Sequence, residues 1–258
     1  MTDEKNDCCV TVDLDWAPDF MLEDLRSLLH GSGLPVTFFC THRTPAVEAL
    51  IGLPGCEAGV HPNLLDARPA EEILDELRRL FPGATGVRNH ALFFHSRLLP
   101  LLLDAGFRYL SNDLMFLAEG LAPWHDWSGM VRLPIYWEDD VHCLYFGERF
   151  ELELLRLRTP GTKVLSFHPV HIFLNTRDML DYEGCKGLIR EPATALAWRQ
   201  GGRGVRTLFL DLLHNLGDFR VASLKQAADA FAGAHPYAGQ YPAFLSRSRK
   251  ATTEGGRP

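Results

Sequence analysis

Cys9-Val10-Thr11-Val12-Asp13-Leu14-Asp15-Trp16 is the stretch on which the fold turns. Small, apolar and β-branched residues run to Val12, and then carboxylates and an aromatic ring follow. An uninterrupted apolar run of this length suits a strand buried on both faces, and an abrupt polar end suits a strand that opens into a working loop. Working outward, runs with β-strand character recur at 34–40, 56–61, 85–90, 107–112, 130–136, 163–169 and 219–224. Amphipathic stretches lie between them. Ile73, Leu74, Leu77, Leu80 and Phe81 form one helical stripe within 69–81, and helical patterns over 95–106 and 205–217 each close on a glycine. Eight strands spaced by crossovers predict an α/β fold, as a parallel sheet or a β/α barrel, with the chemistry gathered at the carboxyl ends of the strands.

Those ends are polar in run after run. After the first come Glu57-Ala58-Gly59-Val60-His61-Pro62-Asn63, Arg88-Asn89-His90, Ser111-Asn112-Asp113, Tyr136-Trp137-Glu138-Asp139-Asp140 and Ser166-Phe167-His168-Pro169. Packing alone does not explain polar residues collected at one end of so many strands.

Composition narrows the function classes. The chain has 258 residues, 46% of them hydrophobic, which is enough for a full core. Acidic residues (33) outnumber basic ones (26), giving a net charge of -7, opposite to what a nucleic-acid or anionic-membrane binder needs. No window approaches the ~18 apolar residues of a membrane span. The start, MTDEKNDCCV, has no apolar leader, so a cytoplasmic location is expected. Cys8, Cys9, Cys40, Cys56, Cys143 and Cys185 form no CxxC pair and read as buried free thiols of a reducing compartment. Residues 1–7 and the basic tail 246–258 are expected to be disordered around one domain over 8–245.

Asp13 and Asp15, two apart on a strand, are expected on the same face, where mutual repulsion calls for a cation or an arginine. Arg88 could hold Asp13 ionised as a general base, or could form a purely structural ion pair. Asp15, His61 and either His90 or His95 would supply the carboxylate and imidazole ligands of a catalytic zinc site, which keeps one position open for water. His168 ends an apolar strand and is either functional or a satisfied buried histidine; His171 is a weaker candidate.

Taken in order, these motifs resemble the polysaccharide deacetylase superfamily, the NodB-homology or carbohydrate esterase family 4 group. Thr11-Val12-Asp13-Leu14-Asp15-Trp16 is similar to its T-F-D-D-G motif, and Glu57 to Leu65 to E-I-G-N-H-[ST]-x-x-H. Arg88-Asn89-His90 is similar to R-x-P-Y/F, and Leu165 to Pro169 to the apolar strand ending in histidine. FRVASLKQAADAF (219–231) resembles the closing strand and helix, so the likeness spans about residues 9 to 232. The D-x-D-W, GVHPN and R-N-H variants are similar to a divergent branch, the WbmS-like proteins, found near bacterial surface-polysaccharide gene sets.

The resemblance implies a distorted (β/α) barrel of seven or eight strands that hydrolyses an N-acetyl or related amide on a sugar, assisted by one divalent metal. Zinc is the first choice, with manganese, cobalt or nickel as alternatives. It implies Asp13 as general base oriented by Arg88, Asp15 and His61 as metal ligands, and His168 as the acid that protonates the leaving amine. Tyr136 and Trp137 would line the sugar site, with Trp16, Asn63 and Asp140 completing the substrate-binding set. The second metal histidine of the family falls on Leu65, so His90 is expected to replace it, with His95 in reserve. The substrate would be a small molecule or carbohydrate such as a nucleotide-linked sugar. The alternatives are a barrel that has lost its metal and binds a glycan or partner, or a metal hydrolase of a formamide or cyclic imide.

Overall fold

The computed structural model describes residues 7–147 and 149–239. Its strands are β1 (Asp7–Asp13), β2 (Val36–Cys40), β3 (Glu57–Val60), β4 (Gly86–Val87), β5 (Tyr109–Leu110), β6 (Trp124–His125), β7 (Val131–Arg132), β8 (Trp137–Glu138), β9 (Lys163–Phe167) and β10 (Arg220–Val221). The α-helices are α1 (Asp19–Leu29), α2 (Pro45–Ile51), α3 (Ala70–Leu80), α4 (Leu98–Asp104), α5 (Asp139–Tyr145), α6 (Pro169–Leu174), α7 (Met179–Cys185), α8 (Pro192–Ala197), α9 (Val205–Asn215) and α10 (Leu224–Ala234).

The strands form one sheet in the order β6-β7-β5-β4-β3-β2-β1-β9-β8, with β10 beside β1. All neighbours are parallel except β6 and β7. The two sheet ends meet through a single run of chain. Val131 and Arg132 pair with β5, Ile135 bridges Leu114, and Trp137 and Glu138 pair with β9. Pro134 has no N–H to donate, so this run carries two short ladders, β7 and β8, in place of one strand. The sheet thus curls back towards itself as the distorted α/β barrel that the motif order implies. Each of the eight expected runs contains a strand, while β6 and β8 are additional. The first strand stops at Asp13, two residues short of its expected end. Asp7 opens β1 opposite Arg220, although it was expected in the disordered arm. Residues 1–6 and the tail 246–258 lie outside the described residues.

Side-chain alternation divides the strands between two cores. Val10, Val12, Phe38, Leu165 and Phe167 face the surrounding helices. Cys9, Phe39, Tyr109 and Val164 pack together on the other face, where Leu224 and Ala228 of α10 close that end. Ser223 caps α10 by accepting from the Gln226 N–H, and the Gln226 side chain accepts from the Ser223 N–H. The neighbouring Leu224 N–H donates to Thr37 Oγ1. Glycine is required in β4, because a Cβ on Gly86 would stand 1.9 Å from the Tyr109 ring. Above the apolar plug, Thr11, Arg88, Ser111 and Ser166 form a polar layer (all fully buried). Asp13, His61, Glu138 and His168 follow at the carboxyl ends of β1, β3, β8 and β9. Among the described residues, no helix is long and apolar enough to cross a membrane.

Candidate active site

Asp13 and Asp15 reach the site by different backbones. Asp13 closes β1 and is buried, whereas Asp15 (φ 41°) and Trp16 (φ 53°) sit in a tandem left-handed turn closed by the Ala17 N–H donating to the Leu14 carbonyl. The strand geometry expected for the pair is therefore corrected. A turn, not an i, i+2 strand face, aims Asp15, although both carboxylates line the same small pocket. A second tandem left-handed pair, Ala91 (φ 54°) and Leu92 (φ 50°), follows His90. Non-glycine residues held in this region cost free energy, and such strain collects at functional sites.

The Asp15 carboxylate is the hub of a histidine cluster. Its Oδ1 lies 3.0 Å from His61 Nε2 and 3.1 Å from His90 Nδ1, and its Oδ2 lies 3.7 Å from His168 Nε2. Burial would raise this carboxyl, but hydrogen bonds from His61 and His90 outweigh it and hold Asp15 far below the usual carboxylate range. The bond to Asp15 in turn raises His90 above an ordinary histidine. One ligand atom each from Asp15, His61 and His90 falls within 4.8 Å of the others. Ligands of a tetrahedral zinc stand about 3.3 Å from one another, so these spacings and this N₂O donor set fit a divalent cation. His61 Nδ1 is buried and has no hydrogen-bond partner among the described residues. His95, the reserve ligand, is exposed, packs its ring on Phe93 and is outside the cluster.

Arg88 is fully buried below the cluster. Its Nη1 donates to Asp13 Oδ1 (2.9 Å), Thr11 Oγ1 (2.8 Å) and Ser166 Oγ (2.8 Å), while Nε and Nη2 donate to the Ser111 carbonyl and hydroxyl. The guanidinium also lies 4.4 Å above the centre of the Phe39 ring. Five hydrogen bonds and a π face satisfy a charge that burial otherwise makes costly, and they fix Asp13 in place.

His168 is the N-cap of α6 and is gripped by a residue that the sequence analysis left without a role, Asp139. Asp139 Oδ1 lies 2.7 Å from His168 Nδ1, and its Oδ2 accepts from the His168 backbone N–H at 2.8 Å. Burial works against a charged imidazole here, but Asp139 outweighs it, with help from Asp140 and Asp15, and raises His168 well above the usual histidine value. Glu138 was also missed. It is buried beside Asp13 and His168, and burial followed by the Asp140 charge pushes its carboxyl up to about 8. The signal available in the sequence was the acidic triplet Glu138-Asp139-Asp140, from which only Asp140 was chosen.

A small pocket of about 280 Å³ contains Asp13, Asp15, His61, Asn89, His90, Glu138, Asp140 and His168. It shares Asp15, His90, Asp140 and His168 with a larger cleft of about 740 Å³. Trp16, 48% exposed, stands on the rim of that cleft with its ring edge-on to His90. Three expected substrate contacts lie elsewhere. Tyr136 and Trp137 are fully buried in the core facing the helices. The Tyr136 hydroxyl donates to the Leu155 carbonyl, and Trp137 packs on Phe167. Asn63 spends its side-chain oxygen on the Leu65 N–H within its own loop.

A model of the WbmS-like polysaccharide deacetylases matches residues 10–186. The chain is 37% identical to the WbmS protein of Bordetella bronchiseptica, assigned as a polysaccharide deacetylase involved in O-antigen biosynthesis. That match covers 80% of this chain and 89% of the other, with a TM-score of 0.74. A Mycobacterium smegmatis protein assigned as a polysaccharide deacetylase shares the fold at 21% identity and TM-score 0.57, over 90% of this chain and 92% of its own. So does a 4-alpha-glucanotransferase of Thermococcus litoralis, at 16% identity and TM-score 0.53, over 88% of this chain and 41% of that one. No curated protein matches. With most of its length covered by the family model, and with a solved relative above one-third identity, the chain belongs to the WbmS-like family of polysaccharide deacetylases.

Proposed function

We propose that the protein is a metal-dependent amide hydrolase that removes an N-acetyl or related acyl group from a sugar. The observation that carries this reading is the convergence of Asp15, His61 and His90 on one point, with Asp13 and His168 facing the same pocket. Asp15, His61 and His90 would hold one divalent cation, zinc by the chemistry of the donor set. Bound there, such an ion polarises the amide carbonyl and acidifies water. Asp13, oriented by Arg88, takes a proton from the attacking water. His168, protonated and oriented by Asp139, donates a proton to the amide nitrogen as the C–N bond breaks, which releases the carboxylate and the free amine. Trp16 offers its exposed indole face to the sugar, and Asp140 can accept from its hydroxyls. The six free cysteines and the acidic surface support a cytoplasmic location and argue against a nucleic-acid partner.

Incubating the metal-loaded protein with a panel of N-acetylated and N-formylated sugars and measuring free amine tests this reading. Amine release is expected from at least one sugar. Asp13→Asn and His168→Ala should each lower turnover by about 10²–10⁴-fold while metal content stays at the wild-type level. A panel that yields no amine favours the second reading, a glycan-binding barrel without catalysis. That reading draws on the exposed Leu65 standing where the resemblance places a ligand histidine.

A further inference from the structure

The large cleft joins the candidate metal site to a basic wall. Its inner end is formed by Asp15, Asp140 and His168. Its outer wall is α7 and the turn that follows, which line it with Met179, Tyr182, Lys186, Ile189 and Arg190. Met179, Tyr182 and Lys186 are spaced three and four residues apart, so one helical face looks into the cleft. Tyr182 marks the inner limit of that face, its ring edge-on to His171 with 4.8 Å between ring centres. Lys186 lies four residues further along, about 6 Å at the helical rise and farther from the histidine cluster. Arg190 extends the basic wall and has no acidic partner among the described residues. Among the described residues Lys186 forms an ion pair only with Glu183, three residues before it, and both are about half exposed (52% and 51%). An exposed pair of that kind contributes little and exchanges readily for another anion.

We infer that the substrate carries an anionic group, a phosphate or a carboxylate, beyond the acylated sugar, and that Lys186 and Arg190 bind it. The inference rests on the hydrolase reading and adds the substrate class. The amide enters at the end formed by Asp15 and His168, and the charged group stays at the α7 end. The volume of about 740 Å³ leaves room for more than a single sugar.

Titration calorimetry on the full-length metal-loaded protein separates the possibilities, using N-acetylglucosamine 1-phosphate, N-acetylglucosaminuronic acid and neutral methyl N-acetylglucosaminide. At low salt at least one charged probe should bind about tenfold tighter than the neutral one, and salt should narrow the gap. The tighter of the two charged probes distinguishes phosphate from carboxylate. Replacing both cations (Lys186→Ala with Arg190→Ala) should reduce the preference to less than about threefold and leave the affinity of the neutral probe and the Tm unchanged. A charged probe that binds no tighter than the neutral one, or a preference untouched by the double substitution, overturns the inference. Amine release is read separately. A charge preference without hydrolysis removes only the hydrolase reading, whereas hydrolysis without a charge preference removes only this inference.

Discussion

Asp139 decides whether His168 can act as an acid. Without the Asp139 charge, burial would press the ring towards the neutral form, which cannot donate this proton. Asp139→Asn should therefore move the alkaline limb of the kcat/KM profile to lower pH and reduce kcat by roughly 10–100-fold, which pH-rate measurements check. The sign follows from the acid role, since activity falls as pH rises through the His168 pKa and the substitution lowers that pKa. Glu138 gives a stability counterpart. Its folded value of about 8 lies above the ordinary 4.5, so its contribution is intact below 4.5 and is lost as pH rises towards 8. In chelator-treated protein, Glu138→Gln should raise Tm relative to wild type increasingly across that interval. A Tm difference independent of pH would contradict the neutral, buried carboxyl. At this scale the sequence was most informative where a polar residue terminates an apolar strand, as at Asp13, His61, Arg88 and His168. It could not show that Asp139 turns back to the backbone N–H and ring of His168, because that contact joins residues 29 apart in the chain.

At the level of elements, strand runs are legible because burial on both faces demands apolar stretches. The orientation of Tyr136 and Trp137 is not, because Pro134 interrupts the ladder just before them and tertiary packing then selects the helix side. The resemblance implied both residues as lining of the sugar site, yet both are core. Trp137→Ala should thus cost about 3–5 kcal/mol of stability, measured by denaturant unfolding, with no change in KM for a turned-over sugar beyond what lost folded protein explains. A raised KM at unchanged stability would return Trp137 to the substrate site. The loop that carries Asp15 has the same lesson in reverse. Its left-handed turn could not be read from Leu14-Asp15-Trp16, none of which is glycine, because the conformation is imposed by the surrounding fold.

For the whole molecule, the curled sheet gathers carboxyl ends from β1, β3, β4, β8 and β9, so ligands far apart in sequence meet without any one strong motif. The apolar plug under α10 and the Arg88 layer hold this arrangement rigid from below. A cation bound only by the folded state should add stability by mass action, and removing it with a chelator should lower Tm while the site residues stay in place. The most direct measurement is the metal content of the purified, zinc-equilibrated protein beside that of Asp15→Ala. The account predicts close to one ion per chain in the wild type and almost none in the variant. Equal metal content in the two, or none in either, would contradict it.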